Sequence, residues 1–128
     1  MHSLFLLFGA LAAFTGVGLG AFGAHGLKAI LSPEMLDVYK TGVNYQMWHA
    51  LGLLFIALIQ QHTPASKLLH WAGCLMAGGI VLFSGSLYCL AIMNIKWLGM
   101  ITPLGGLAFL IAWLLIIIFA TKKPIAVM

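Results

Sequence analysis

The eight charged side chains of this chain stand at positions 28, 34, 37, 40, 67, 96, 122 and 123. They leave four stretches free of Lys, Arg, Asp and Glu: 1–27, 41–66, 68–95 and 97–121. Each is longer than the ~20 residues that an α-helix needs to cross a hydrocarbon core of ~30 Å. A charge at mid-bilayer costs about 2.5 to 3.5 kcal/mol on insertion scales, so this spacing is what lipid imposes. Composition agrees. Only 6% of the residues are charged and 63% are hydrophobic, whereas a soluble domain carries about 25% charged residues. The formal charge of +4 is no nucleic-acid signal, because there is no Arg and no basic cluster longer than Lys122-Lys123.

The expected fold is an all-α integral membrane protein: a four-transmembrane-helix bundle, one domain over residues 1–128, with spans near 4–26, 43–61, 69–92 and 99–121. Strands in lipid must close into a barrel, and these Leu/Ile/Ala/Gly runs lack the period-2 alternation of barrel strands. The first block has no basic start, and its apolar run exceeds the usual 7 to 15 residues of a signal peptide; it reads as a retained span. Cys74 and Cys89 lie on one predicted helix, roughly 22 Å apart along its axis, too far for a bridge within the chain.

Between the first two spans, "LSPEMLDVYK" holds both carboxylates. Ser32 suits an N-cap, Pro33 the first helical position, and Glu34 and Asp37 the positive helix start. A short interfacial helix is expected here, either bending at Gly42 or running straight into helix 2. Thr102-Pro103 repeats the cap-then-proline pattern, so helix 4 either starts at Pro103 or starts near Leu98 and kinks. Lysines do not settle the orientation: Lys28, Lys40 and Lys96 oppose Lys67, Lys122 and Lys123. The dense pair Lys122-Lys123 favours both termini on the cytoplasmic side, and dual insertion stays open.

Gly18-x-Gly20-x-x-Gly23 matches the dinucleotide fingerprint, but that motif needs a preceding strand and a helix that opens at the glycines. What these residues support is close helix packing. Ala12, Gly16, Gly20 and Ala24 form a small-xxx-small ladder, and Gly9, Ala13, Gly16, Gly20 and Gly23 follow a left-handed seam. Helix 3 (Gly73, Ala77, Gly78, Gly85) and helix 4 (Gly105, Gly106) also carry small faces. Such faces serve either a tight bundle or lateral association, with a second copy or with other membrane subunits.

The polar residues are unevenly spread. Four antiparallel spans put His25, Asn44, Tyr45, Gln46, His49, Ser84, Ser86, Tyr88 and Thr102 in the same half of the bundle. The opposite half holds little beyond Thr15 and the interfacial Gln60, Gln61, His62 and His70. His49 stands about 10 Å along helix 2 from Gly42. Ionisable residues inside spans face a bundle interior, a partner or a cavity. Hence His49 either glues helices through Tyr45 or Ser86, or forms part of a ligand site with His25, Asn44, Tyr45, Ser84, Ser86 and Tyr88.

"GAFGAHGLK", "YQMWHALGLL", "GIVLFSGSLY" and "TPLGGLAFLIAW", in that order, resemble the YgdD/YwdK-like family of small four-span membrane proteins, which is similar to human transmembrane protein 256. The resemblance covers nearly the whole chain. Its motif positions fall here on Gly23, His25 and Gly26, on His49, on Phe83 and Tyr88, and on Pro103, Gly105 and Gly106. It implies the four-helix fold and a bacterial inner-membrane location, and it brings no catalytic residue and no assigned activity.

The foremost reading is a non-catalytic membrane subunit or scaffold that acts through lateral helix packing. The first alternative is a site for a small lipophilic molecule such as quinone, with His25, Tyr45 and His49 as its hydrogen-bonding groups. A bis-histidine haem would need His25 and His49 at matching depths, and His49 is expected deeper. The second alternative is a small transporter or channel, although no span carries the carboxylate that ion coupling normally uses. Enzymatic catalysis ranks last, because no nucleophile, base and orienting group occur together. His25, His49 and Cys89 are too few for a metal site. On the lateral-packing reading, Gly16→Leu with Gly20→Leu lowers the native mass of the extracted protein by dissociating it; an unchanged mass removes that support.

Overall fold

Serine and proline set where the helices begin. In the computed structural model, which describes residues 3–122, three serines act as N-caps. Ser3 accepts from Leu6 N at 3.2 Å, Ser32 from Met35 N at 3.2 Å and Ser66 from Leu69 N at 3.3 Å. Each satisfies a backbone donor that has no partner within its helix. Helix α1 runs Leu4–Leu27 and ends in a π-helical turn, Gly23–Leu27. Helix α2 is Pro33–Gln60, with Pro33 and Glu34 in its first turn. Helix α3 is Lys67–Met93, interrupted by a π-helical turn at Ile80–Ser84 and closed by Asn94 in the left-handed conformation, φ 55°. A 3₁₀ turn, Lys96–Met100, leads into helix α4, Thr102–Thr121. Among the described residues, four helices are long and apolar enough to cross a membrane.

The expected interfacial helix is not a separate element. Residues 33–42 are the opening turns of α2, continuous to Gln60 over 28 residues. Gly42 makes no bend because its missing side chain is occupied: a Cβ there would lie 2.8 Å from Tyr88 Cε1. Helix 4 takes the first of its two expected starts, at Thr102-Pro103, since proline cannot donate to the preceding turn and the chain before it tightens to 3₁₀. Lys122 follows α4, and Lys123 lies outside the described residues.

Close packing joins α1 to α2 and α3 to α4, and α2 leans on α3 between the two pairs. Phe5, Leu53, Ile56, Ala57, Leu69, Ala72, Met76 and Ala112 form the core at one end; Leu27, Tyr39 and Ala91 anchor the other. The buried polar side chains Gln46, His49, Ser84 and Ser86 lie in the spans themselves. Outward residues such as Phe14 and Leu110 are apolar, which is what a lipid-facing surface requires.

The small residues of α1 are largely taken up inside the chain. A Cβ on Gly16 would meet Met47 Sδ at 2.5 Å, one on Gly20 would meet Val43 Cγ1 at 3.4 Å, and one on Gly23 would enter the Tyr39 ring. Ala12 turns its carbonyl to Gln46, while Ala24 is exposed. Leucines at 16 and 20 would therefore strike the α1–α2 contact before any outer partner. On α4, a Cβ on Gly105 would run into the Phe83 backbone, with Phe83 Cα 2.8 Å away, whereas Gly106 only grazes that ring at 3.8 Å. Gly105→Ala should cost about 1 to 3 kcal/mol, because backbone rather than a flexible side chain must move. Gly18, with nothing within 4 Å, should tolerate Ala or gain about 0.5 to 1 kcal/mol from helix propensity. Unfolding of both variants by SDS from mixed micelles checks this, and equal costs would contradict the packing.

Candidate functional site

Two polar groups on α2 face different neighbours and do different things. Gln46 Nε2 donates to the Ala12 carbonyl and to Thr15 Oγ1, each at 2.9 Å, and its Oε1 accepts from the Tyr88 hydroxyl at 2.5 Å. Thr15 passes its own proton to the Leu11 carbonyl at 2.9 Å. Tyr39 donates to the Leu19 carbonyl, and its ring lies 5.3 Å from that of Tyr88. Side-chain bonds thus cross from α2 to α1 and to α3. Two serines pin the same region: Ser84 donates to the Gly42 carbonyl at 2.6 Å, and Ser86 lies 2.6 Å from Thr102 Oγ1 and donates to the Phe83 carbonyl at 2.9 Å. Thr102 Oγ1 also reaches the Leu98 carbonyl at 3.4 Å, so each hydroxyl has a carbonyl acceptor on its own chain segment and the two share a hydrogen bond that either can donate.

His49, one turn further along α2, turns to α4. Its Nδ1 is 2.7 Å from the Tyr45 carbonyl oxygen, and its Nε2 accepts from Trp113 Nε1 at 3.0 Å. A carbonyl only accepts and an indole N–H only donates, so the imidazole is neutral, with its proton on Nδ1. The ring stacks on Phe109, centroids 3.5 Å apart and planes 9° from parallel. Tyr45 packs against Phe83 at 4.6 Å and Trp48 at 4.9 Å. These side chains, with Pro103, Gly106, Leu107 and Leu110, line a groove of about 650 Å³ between α2 and α4. It exists because α2 and α4 meet through large side chains rather than close backbones.

The residues expected to share one polar half are therefore divided. Tyr45 and His49 belong to the groove, Tyr88 to the Gln46 network, and Ser84 and Ser86 to interhelical pins. His25 and Asn44 are exposed and do not line the groove, so the side chains named for a bis-histidine haem are not brought together. Thr15, assigned from the sequence to the opposite half, bonds Gln46 directly. Trp113, Phe109, Leu107 and Leu110 are groove residues that the sequence did not single out. A signal for Trp113 was present: it is an indole N–H inside "LIAWLLIII", away from the span ends where belt tryptophans sit.

Removing the hub amide tests the first network. Interhelical hydrogen bonds in membranes average about 0.6 kcal/mol, so Gln46→Leu should cost ~1 to 2 kcal/mol and Tyr88→Phe ~0.6 kcal/mol. SDS unfolding of the two variants measures this, and a Gln46→Leu chain as stable as wild type would refute the hub.

Residues 19–106 match the family model described as protein of unknown function (DUF423). The UPF0382 membrane protein YwdK of Bacillus subtilis is 50% identical over 119 residues, covering 93% of this chain and 97% of the relative. A UPF0382 membrane protein of Staphylococcus haemolyticus is likewise 50% identical, covering 93% and 96%, and one of Staphylococcus saprophyticus is 48% identical, covering 93% and 98%. No solved structure matches. With its four apolar helices and these relatives, the chain belongs to the DUF423 family of UPF0382 multi-pass membrane proteins.

Proposed function

We propose that this protein holds a small lipophilic molecule, drawn from the bilayer, in the groove between α2 and α4. The observation that carries the reading is the His49–Trp113 pair: an imidazole that is 4% exposed and an indole that is 41% exposed, bonded to each other on the wall of a groove lined mainly by aromatic and aliphatic side chains. Small-molecule sites combine this volume range, apolar and aromatic walls and a few placed polar groups. Glue alone would not call for an open aromatic groove beside the bond.

A second reading, a scaffold that acts by lateral packing with a second copy or another membrane subunit, draws its support from the outer side of α1. There Phe14 and Val17 are exposed, and a Cβ on Gly18 would meet nothing within 4 Å among the described residues. It loses weight because Gly16, Gly20 and Gly23, which suggested it, already receive α2 side chains. A transporter or channel has less to support it, since both carboxylates, Glu34 and Asp37, lie in the opening turns of α2. We also propose an inner-membrane location with both termini cytoplasmic, on the strength of Lys122 and Lys123.

Native mass spectrometry of the protein gently extracted from its own membrane, with an absorption spectrum of the same sample, separates the readings. The groove reading expects one small-molecule mass on wild type whose occupancy falls severalfold in His49→Phe, a variant that keeps the stack on Phe109. A bare chain, or an oligomer with no added mass, overturns it.

A further inference from the structure

The groove carries a built-in chemical preference, because the hydrogen bonds of His49 are directional. Nδ1–H donates to the Tyr45 carbonyl at 2.7 Å, so Nε2 of the neutral ring can only accept, and Trp113 fills it at 3.0 Å. The imidazole is buried, bonded on both nitrogens and stacked 3.5 Å from Phe109. Trp113 is far more exposed, at 41% against 4% for His49. Of the two, it is the indole that has room to turn aside.

A guest entering this bond meets one fixed acceptor, His49 Nε2, and one movable donor, the Trp113 N–H. A hydroxyl satisfies both, since it donates one hydrogen and accepts through its oxygen lone pairs. A carbonyl or ether oxygen can take the indole N–H but strands Nε2 without a proton, and a buried polar atom left unpaired is penalised. Three of the rings that line the groove are close to parallel, Tyr45 and His49 at 11°, His49 and Phe109 at 9° and Tyr45 and Phe109 at 18°, while Trp48, Phe83 and Trp113 stand tilted to them. Aromatic faces so aligned favour a flat guest by offset stacking. Leu107 and Leu110 continue the wall with aliphatic surface suited to a hydrocarbon tail.

We propose that the groove selects a hydroxylated aromatic ring on an apolar tail, an alkylphenol or an alkylated hydroquinone, over the matching ether or quinone. Its hydroxyl donates to His49 Nε2 and accepts from Trp113 Nε1. The inference rests on the ligand-groove reading above and sharpens it to one chemical class.

Two probes that share ring and chain test it: 4-decylphenol, which can donate, and 4-decylanisole, its methyl ether, which cannot. Each is titrated against the full chain in lipid nanodiscs, with occupancy read by native mass spectrometry. Wild type should bind the phenol about three- to tenfold more tightly than the anisole, the worth of one hydrogen bond. His49→Phe should take up both probes equally. Trp113→Phe should keep the preference, because the acceptor remains, and it decides the matter if His49→Phe does not fold. Equal binding of both probes by wild type, or a preference lost in Trp113→Phe, overturns the donor selection while leaving the groove a ligand site. Failure of wild type to bind either probe removes the groove reading, and this inference with it.

Discussion

A primary amide inside a membrane span must find its partners within the protein, and how Gln46 does so governs how the first three helices sit. Two of its bonds go to α1, at Ala12 and Thr15, and one comes from Tyr88 on α3. Sliding α1 along α2 by even one residue would break the first two together. The reach depends on glycine. A Cβ on Gly16 would lie 3.4 Å from the Gln46 nitrogen and closer still to Met47, so a larger residue there would lift α1 off the amide. Without a hydrophobic force to bring apolar helices together in lipid, close backbone approach and interhelical hydrogen bonds carry the association. Here they are one device, since the glycine gives the amide access and the amide fixes the register.

The π-helical turn of α3 does comparable work on the other side. Ile80–Ser84 widens the helix where α2 and α4 both converge on it. Ser84 reaches the Gly42 carbonyl on α2, the Phe83 backbone lies on Gly105 of α4, and the Phe83 ring lies against Tyr45 in the groove. Wide turns of this kind are frequent at functional sites because they displace side chains from regular helical spacing. The same five residues thus close one helix contact and shape one wall of the groove.

Much of the fold could be read from eight charges, the cap at Ser32-Pro33 and its repeat at Thr102-Pro103, because lipid forbids charge and helix starts need acceptors. Those rules are local or one-dimensional, and the four long apolar helices they imply are there. Continuity of α2 through Gly42 was less legible: a glycine ten positions into a helix looks the same whether it bends or receives a tyrosine, and only the position of Tyr88 decides. Thr15 was set apart from Gln46 by counting depth along separate helices, which ignores how far α1 is drawn along α2. The face of small residues on α1 was visible, but not which neighbour would use it. His49 stood out as a lone imidazole in a span. Its partner did not, because an indole N–H reads as one more apolar side chain until something accepts its proton.

The placement of the groove follows from the same packing. Glycines bring α1 onto α2 and α4 onto α3, but at the α2–α4 seam the large rings of Tyr45, His49, Phe109 and Trp113 meet, and Gly106 lines the groove beside them without a close backbone approach. Rings of that size hold two helices apart, and four helices joined as two close pairs need not close the remaining seam. The opening faces outward between spans, past Trp48, Leu107 and Leu110, all of them exposed. A molecule reaching His49 by that route would come sideways through hydrocarbon and would already be partitioned into the bilayer. Partitioning of this kind concentrates apolar guests without distinguishing among them. Discrimination would then fall to the few polar groups at the wall, and the N–H···N bond between Trp113 and His49 is the one whose direction is fixed on both sides, which is why it matters more here than the area of the groove.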